Sequence, residues 1–410
     1  MRILTVVVDL RKGGTQRAAQ AFAEAYLSLG HDSRVLALYG LGPRYEEIDG
    51  LIPVFEGLDT NQEAIRSWNP ELIHIHSHGP KKEDIDVLID LLPASKKIET
   101  NVFSRPSPWA AKLDVSFQLS EWAHWLFDLR GGKELKCEII PNPIKCDAFN
   151  RASQEEIQAF KKKHSIPEDA FVIGRIGQAI NGKWSDLLIK VFDDLSDHIK
   201  NPYLLIVNPA PVVLEAAESS LNKSCIVHIP KIFGDADLSV AYSSMDVMLL
   251  IAEQGESFGM VIPECNLCET PVVTIHTPWG DNSQGIVVGN RKGGFVVNRK
   301  RNLAKVIRDM YNKKLVYDPK KGIEQAKQFD SIKLARKAIE SLQTEQYVKK
   351  KRDKSLLRNI LKDSQDRPHI FTLLLLRFNH NTFRLLTIYS SGYRNFKELL
   401  SAFGRILRKK

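Results

Sequence analysis

Short runs of apolar and β-branched residues alternate with amphipathic segments of helical length from the first residue to about residue 300. Six runs come first and six more follow after a gap: RILTVVV, SRVLALY, LIHIH, KIETNV, LDVSFQL and CEII, then FVIGRIG, YLLIVN, CIVHI, DVMLLI, PVVTI and GGFVV. Parallel strands that are buried on both faces have such continuous apolar runs, and helices connect them. The pattern predicts an α/β fold with two doubly wound, Rossmann-like domains.

A polar stretch with two prolines separates the two sets of runs. It reads PNPIKCDAF at 141–149, and a polar helix rich in Lys and Glu, SQEEIQAFKKKH, follows it. Linkers between domains often have this composition. We therefore predict a first domain at 1–145, a second domain at 146–348 that closes with a helix over 329–347, and a tail at 349–410.

Composition bounds the class of protein. A chain of 410 residues is long for one hydrophobic core. Its five cysteines are odd in number and irregularly spaced, which argues against a disulfide framework and fits a reducing cytosol. The N-terminus leads directly into a strand without a basic leader, and no apolar run approaches the ~18 residues of a membrane span. We expect a cytoplasmic protein.

The net charge of +9 is concentrated in the tail. Residues 349–410 carry 16 Lys and Arg against four acidic residues, so the rest of the chain is slightly acidic. In 382–410, apolar and aromatic residues recur at steps of three and four with cations among them. This pattern suits the anionic inner face of a membrane. The alternative is a helix that packs on the body or on another subunit; nucleic acid is disfavoured because no binding motif accompanies the charge.

Two short motifs place groups that suit an anion at the ends of strands. Gly13 and Gly14 follow the first strand and open a helix, whose free N–H groups and partial positive charge attract anions. Arg175 and Lys183 follow the first strand of the second set, in the crevice where open α/β sheets bind ligands, and two cations suit a diphosphate. The alternatives are plain loop chemistry for the glycines and solvated surface charge for the cations.

The stretch EQGESFGMVIPECNLCETPVV holds two carboxylates eight positions apart. Glu256 falls in a glycine-containing turn after a buried strand, and Glu264 falls early in a helix, where Pro263 suits the first turn. An ionised carboxylate accepts hydrogen bonds and has room for two adjacent ribose hydroxyls. The spacing therefore lets one acid face a sugar while the other binds a ribose.

This stretch resembles the E-x7-E signature of the family 4 glycosyltransferases, which have the GT-B fold of two facing Rossmann-like domains. The segments KGGTQR, GHDSRV, IIPNPI and RKGGFVV and the Arg–Lys pair fall in the order that the family shows. The resemblance covers residues 1 to about 348. It implies that Glu264 binds the ribose, and that Glu256 and the backbone of Ser257, Phe258 and Gly259 hold the donor sugar.

The resemblance also implies how the leaving group is stabilised. Arg175 and Lys183 would neutralise the departing diphosphate, while Gly13 and Gly14 would line the facing wall. Family 4 enzymes typically retain the anomeric configuration and need no metal, because cations and a helix N-terminus supply the positive charge. We expect no metal and no cofactor, with a UDP- or GDP-sugar as the donor substrate.

The sequence departs from the family's pattern on the acceptor side. No catalytic histidine can be transferred, since its place reads IETNVFSRPSP, with Asn101 or Ser104 nearby. His78 or Ser77 of the HIHSH stretch is a further candidate for the acceptor side. Ile286 stands where another acidic residue is expected, which leaves Asn282 and Gln284 as polar candidates.

Two further patterns favour structure over chemistry. The histidines of HIHSH at 74–78 alternate on one face but lack a partner cluster of Cys, Asp or Glu, so a metal site is disfavoured. Cys265 and Cys268 form a CxxC without a second pair, which favours buried thiols.

The resemblance leads to a functional hypothesis: transfer of a sugar from a nucleotide sugar to a glycan or lipid-linked glycan, with retention, in surface polysaccharide synthesis such as that of lipopolysaccharide. The alternatives are a GT-B sugar-nucleotide epimerase and a catalytically silent GT-B protein that recruits partners. A nicotinamide oxidoreductase is disfavoured, because the GxGxxG fingerprint is absent from the first turn.

Overall fold

Two parallel sheets form the frame of the molecule in a computed structural model, which describes residues 1–76, 81–132, 135–232, 234–278, 280–343, 354–369 and 372. The strands of the first sheet are β1 (Arg2–Val7), β2 (Asp32–Ala37), β3 (Val54–Glu56), β4 (Leu72–His76), β5 (Lys96–Asn101), β6 (Val115–Gln118) and β7 (Cys137–Ile139). The strands of the second sheet are β8 (Phe171–Ile176), β9 (Pro202–Val207), β10 (Ile226–Ile229), β11 (Val247–Leu250), β12 (Val272–Ile275) and β13 (Gly294–Val297).

Both sheets are doubly wound. Within the described residues the first sheet has the order β3-β2-β1-β4-β5-β6-β7 and the second the order β10-β9-β8-β11-β12-β13, with parallel pairing. In each sheet the chain starts in the interior and reverses its direction of winding once, and ligands of such sheets bind at the carboxyl ends of the strands near that switch. The predicted class, two Rossmann-like domains with parallel sheets, is confirmed. The sequence reading missed only the three-residue edge strand β3.

Helices cover both faces of each sheet. In the first domain they are α1 (Gly14–Ser28), α2 (Pro43–Ile48), α3 (Gln62–Trp68), α4 (Glu83–Leu91) and α5 (Glu121–Leu129). In the second they are α6 (Gln154–Lys163), α7 (Leu187–Ser196), α8 (Pro211–Glu218), α9 (Asp235–Ser243), α10 (Val261–Leu267), α11 (Gln284–Val288), α12 (Asn302–Tyr311), α13 (Pro319–Ala326) and α14 (Ser331–Glu340), and α15 (Lys354–Lys362) follows. Ser153 and Glu156 form a capping box at the start of α6, which fixes where the linker ends.

The closing helix of the second domain returns to the first domain. α14 packs on α1, and Lys337 donates from Nζ to the carbonyl of Ile139 at 2.7 Å. Lys136 of the first domain donates in turn to the carbonyl of Ser341 at 2.7 Å. One core cluster therefore runs through both domains, from Phe22 of α1 to Leu334 of α14.

Residues 354–369, here called the strap, bridge the two domains at another place. Leu357 and Leu361 of α15 are buried against Trp122 of α5 in the first domain. The end of the strap is fixed to the second domain, where the Asp366 carboxylate accepts from the backbone N–H of Asn298 at 2.5 Å and from the side-chain amide of Asn302. This part of the basic tail packs on the body, whereas the predicted membrane-binding stretch 382–410 lies outside the described residues.

Candidate functional site

The predicted sugar-binding acid is paired with a predicted cation. Glu256 lies in the loop after β11 and Lys183 in the loop before α7, and Lys183 Nζ is 2.6 Å from Glu256 Oε2. Arg175, in β8, places Nη2 3.8 Å from the other carboxylate oxygen. Because Glu256 is largely buried, this pairing compensates its charge away from bulk water. The structure thus brings together the three side chains that sequence analysis assigned to catalysis.

Arg175 supports the loop of Lys183. Its guanidinium donates to the carbonyls of Lys183, at 2.9 Å, and Ile176, and it lies over the ring of Trp184 with 4.8 Å to the centroid. The side chain is only 1% exposed, and this burial lowers the pKa of Arg175 although Glu256 acts in the opposite direction. Lys183 is about a third exposed. Of the two cations, Lys183 is therefore the one that is accessible from outside the protein.

The loop of Glu256 is tied to the loop before α11. The Glu256 N–H donates to Gln284 Oε1 at 3.1 Å, and its carbonyl accepts from Ser283 N. Gly255 has φ +74°, and a Cβ there would lie 1.7 Å from the Asp281 carbonyl oxygen, so only glycine fits. The position of Glu256 is thus set by its backbone contacts with Ser283 and with the side chain of Gln284.

Ser257, Phe258 and Gly259 complete that loop. Phe258 is buried and packs edge-on against Phe329, with 5.1 Å between centroids, so its side chain belongs to the core. Gly259 has φ +88°, a conformation that favours glycine. Ser257 is half-buried. Phe258 and Gly259 can therefore offer a sugar only backbone groups, as the resemblance implies.

Glu264 lies in α10, is 2% exposed and has a partner on each carboxylate oxygen. Tyr242 of α9 donates its hydroxyl to Oε2 at 2.9 Å, and Arg17 of α1 places Nη1 3.2 Å from Oε1. Burial raises the pKa of Glu264, and Arg17 and Tyr242 oppose that rise. The predicted ribose ligand is thus a buried carboxylate that accepts a hydrogen bond within its own domain and forms an ion pair with the other domain.

The predicted glycine turn faces the second domain. A Cβ on Gly14 would lie 3.7 Å from Met260 Sδ, and one on Gly13 would lie 3.5 Å from Gln178 Nε2. Gly13 is the N-cap of α1, which runs for 15 residues and carries no acidic residue in its first turn. The positive end of this helix therefore points across the gap between the domains.

A cavity of about 420 Å³ lies beside Arg17, between the two domains. Its lining combines cations with apolar side chains: Lys12, Arg17, Gln20, Ala21, Arg44, Glu47, Pro143, Lys145, Ile232, Gly234, Asp235 and Leu238. Arg17 also contacts Glu264, so the cavity adjoins the predicted ribose ligand. Its size lies in the range of small-molecule sites, and half of its lining residues are charged.

Asn101 and His78 are two of the acceptor-side candidates of the first domain. Asn101 donates to the carbonyl of Arg105 at 2.7 Å and to Glu99 Oε1 at 3.2 Å, and it accepts from Arg105 N. Its amide therefore shapes the turn after β5. His78 lies outside the described residues.

Sequence reasoning missed two charged residues. The sequence does not single out Arg17, because one arginine on an amphipathic helix carries no motif. Nor does it single out Asp281 beside the candidates Asn282 and Gln284. Burial raises the pKa of the Asp281 carboxyl, while Lys183 and Arg130 oppose the rise. A carboxyl so placed lies in the electrostatic field of Lys183. Its only sequence signal is its place after the segment PWG.

The histidines and the CxxC have structural surroundings. His74 pairs with the Tyr26 hydroxyl and with Thr100 Oγ1, both at 2.9 Å, and is buried. No group of three His, Cys, Asp or Glu that could bind a metal occurs among the described residues. Cys265 and Cys268 are buried free thiols, and burial raises the pKa of Cys268 to about 12. Such thiols are inert.

In the part of the chain that the structure describes, no helix combines the length and the apolar character needed to cross a bilayer.

The fold and its second domain resemble known glycosyltransferases. The family model described as "Glycosyl transferases group 1" matches residues 156–329, within the second domain. No curated protein sequence matches the chain. A glycosyltransferase from Rickettsia africae is 19% identical with a TM-score of 0.68, and the match covers 83% of this chain and 97% of that one.

Two other solved structures have the same architecture. HepE from Anabaena, in complex with UDP-glucose, is 16% identical with a TM-score of 0.67, covering 84% of this chain and 99% of that one. WaaG, a glycosyltransferase involved in lipopolysaccharide biosynthesis, is 16% identical with a TM-score of 0.58, covering 83% of this chain and 99% of that one. The chain has the GT-B fold.

Proposed function

We propose that this protein is a glycosyltransferase that moves a sugar from a nucleotide sugar to an acceptor. The observation that carries the proposal is the joining of Glu256, Lys183 and Arg175 in one cluster of ion pairs, with Glu264 eight positions further along the chain beside a cavity between the domains. The match of the second domain to the group 1 family model supports it, as does the UDP-glucose bound to the Anabaena protein.

The donor would lie along the gap between the domains. Its base fills the cavity that adjoins Arg17, and its ribose hydroxyls donate to Glu264. The diphosphate then meets Lys183 and the N-terminus of α1, and the sugar reaches Glu256 and the backbone of Phe258 and Gly259. UDP or GDP suits this arrangement.

The chemistry follows from the movement of charge. As the bond from the anomeric carbon to the phosphate oxygen lengthens, negative charge collects on the diphosphate and positive charge on the sugar ring. Lys183 and the helix N-terminus favour the diphosphate in the transition state more than in the ground state. Arg175 acts through Lys183, because it holds the Lys183 carbonyl. These groups supply the positive charge, and the proposed transfer needs no metal.

The finer parts of the proposal concern the acceptor and the stereochemistry. We propose retention of the anomeric configuration and a glycan or lipid-linked glycan acceptor in surface polysaccharide synthesis, in line with the resemblance to family 4. Asp281 and the turn shaped by Asn101 would border the acceptor side. Contact of the tail with the inner face of a membrane would bring the enzyme to a lipid-linked acceptor.

A binding and turnover experiment tests this function. UDP, GDP, ADP and their sugars are titrated in the presence of EDTA, and thermal unfolding is followed. A ligand at 100 times its dissociation constant should stabilise the protein by about 2.7 kcal/mol. With the best donor, proton NMR then follows the anomeric signals of donor and product. The Glu264→Gln variant is the control, because it should lose this binding while it stays folded.

Each outcome assigns a class. Stabilisation by one nucleotide and appearance of a product with the donor's anomeric configuration support the proposal. Conversion of the donor without an acceptor points to an epimerase, and binding without turnover on any acceptor points to a catalytically silent protein. If no nucleotide stabilises the protein, the proposed function is wrong.

A further inference from the structure

Arg17 is the charged side chain through which the first domain contacts the predicted ribose ligand. It extends from the first turn of α1, and its guanidinium meets two carboxylates of the second domain, Glu264 at 3.2 Å and Asp235 at 2.6 Å. The ring of Phe149, in the linker, lies under the same guanidinium with 5.2 Å to the centroid. Arg17 is about 20% exposed. One side chain thus joins both domains and the linker.

Both carboxylate oxygens of Glu264 already have a neighbour in this arrangement. Tyr242 donates to one oxygen, and the Arg17 guanidinium lies against the other. A ribose diol brings two hydroxyl donors, which need acceptor positions on the same carboxylate. Tyr242 belongs to the same domain as Glu264 and is fully buried, so its contact with Glu264 does not depend on the first domain. Arg17 belongs to the other domain, and it is the partner that a ribose can replace.

We propose that Arg17 is a latch: it occupies Glu264 and closes the nucleoside end of the cleft in the empty protein, and it gives up Glu264 to the ribose when the nucleotide binds. The exchange rests on the proposed function, because it requires that Glu264 receives a ribose. Arg17 keeps Asp235, which is about 38% exposed and lies in the first turn of α9, so it moves aside without losing every partner.

The physical need for the latch comes from Glu264. A buried carboxylate without a cation or donor is costly, and burial already raises the pKa of Glu264. Arg17 supplies a cation to Glu264 while the site is empty, and the ribose supplies hydroxyl donors when the site is filled. The carboxylate therefore has a second partner besides Tyr242 in both states. The consequence is competition, since the nucleotide has to displace an existing ion pair.

If Arg17 is a latch, its removal should strengthen nucleotide binding, whereas removal of a cation from a nucleotide site would ordinarily weaken it. With Arg17→Ala, UDP and GDP, titrated by calorimetry at pH 8 to favour the ionised form of Glu264, should bind about two- to fivefold more tightly than to the wild type. That range corresponds to the loss of one partly exposed ion pair. Amide hydrogen exchange in α1 and α9, measured without nucleotide, should become faster by a similar factor. Arg17→Lys should restore part of both effects, because an ammonium can still pair with Asp235.

Arg34→Ala is the matched control. Arg34 is also a partly buried arginine of the first domain, about 29% exposed, and it pairs with Asp32 of the same domain at 3.5 Å. Its removal should alter neither nucleotide affinity nor exchange in α1 and α9.

Four outcomes decide the proposal. Tighter binding together with faster exchange in Arg17→Ala alone supports it. Unchanged exchange in that variant shows that Arg17 does not hold the domains, and the latch is then wrong. Faster exchange with unchanged or weaker nucleotide binding shows that Arg17 does not compete with the ribose, and the exchange of partners is wrong. If the wild type binds neither nucleotide, the proposed function fails and the exchange of partners fails with it, while faster amide exchange in Arg17→Ala would still establish the contact between the domains.

Discussion

Lys183 Nζ lies 2.6 Å from Glu256 Oε2, so the residue proposed to meet the diphosphate and the residue proposed to meet the sugar form one ion pair. The pair joins two loops that follow different strands, β8 and β11. In the proposed complex, the negative diphosphate of the donor would contact Lys183 and its neutral sugar would contact Glu256. The ion pair therefore positions both side chains before the donor binds.

Replacement of Lys183 should remove charge stabilisation from the transition state. We expect Lys183→Ala to lower turnover by roughly 10²–10³, by analogy with the loss of one oxyanion donor. The measurement is kcat and KM for donor consumption, and the loss should fall mainly on kcat. Lys190→Ala is the control, because Lys190 is an exposed lysine that pairs with Asp186 at 2.5 Å within the same part of the chain. Equal rates for Lys183→Ala and wild type would remove Lys183 from the site.

Nucleotide binding should weaken toward acidic pH because of Glu264. Burial raises the pKa of this carboxyl above its ordinary value of 4.5, while Arg17 and Tyr242 oppose the rise. A protonated carboxyl has lost acceptor capacity for the ribose diol, so affinity should be full above the raised pKa and should fall as the pH drops through it. UDP-glucose is a suitable probe in calorimetry, because its phosphodiester groups do not titrate in this range.

Two variants check the origin of that pH dependence. Glu264→Gln should bind weakly at every pH, with a flat profile. Arg17→Ala removes a cation that lowers the pKa, so its fall in affinity should begin at a higher pH than in the wild type. An identical profile in Glu264→Gln and wild type would assign the titration to another group.

The strap should control the other end of the domain interface. Leu361 is fully buried against the first domain, and truncation of such a side chain costs ~2–5 kcal/mol. We expect Leu361→Ala to accelerate amide exchange throughout α15 and at the facing surface of α5. Leu356→Ala is the control on the same helix, since Leu356 is 37% exposed. Equal exchange in the two variants would mean that the strap does not hold the domains.

Most of the fold could be predicted because its strands are buried on both faces. Val6 of β1, for example, pairs with Leu36 on one side and Ile75 on the other, and helices cover both faces, so the strand has to be apolar throughout. The sequence pattern does not predict the edge strand β3, because its residues are half-buried or exposed and it is three residues long. A continuous apolar run therefore identifies an interior strand of a parallel sheet but does not identify an edge strand.

The candidate site could be predicted only where its residues follow one another along the chain. Glu256 and Glu264 stand in one stretch with glycines and a proline, and that local pattern revealed them. Arg17 could not be found in this way, since its partner Asp235 is 218 positions away and the contact depends on how the domains meet. Asp281 depends on tertiary placement for the same reason. The strap could be predicted in part. The apolar spacing in KSLLRNILK indicates an amphipathic helix, but it does not indicate which surface covers the apolar face of that helix.

Buried histidines should make the first domain sensitive to acid. Burial lowers the pKa of His76 from its ordinary 6.5 to about 3, so the folded state keeps this ring neutral where the unfolded chain takes up a proton. The free energy of unfolding is therefore unaffected by His76 above pH 6.5, and it decreases as the pH falls toward 3, by at most about 1.4 kcal/mol per pH unit.

Both ring nitrogens of His76 are without a hydrogen-bond partner within the described part of the chain. His76→Leu should therefore cost little stability at pH 7 and should flatten the loss at low pH, as measured by denaturant unfolding between pH 4 and 8. His228→Leu, at an exposed position on the second domain, should keep the wild-type slope. A wild-type slope in His76→Leu would show that other groups cause the acid sensitivity.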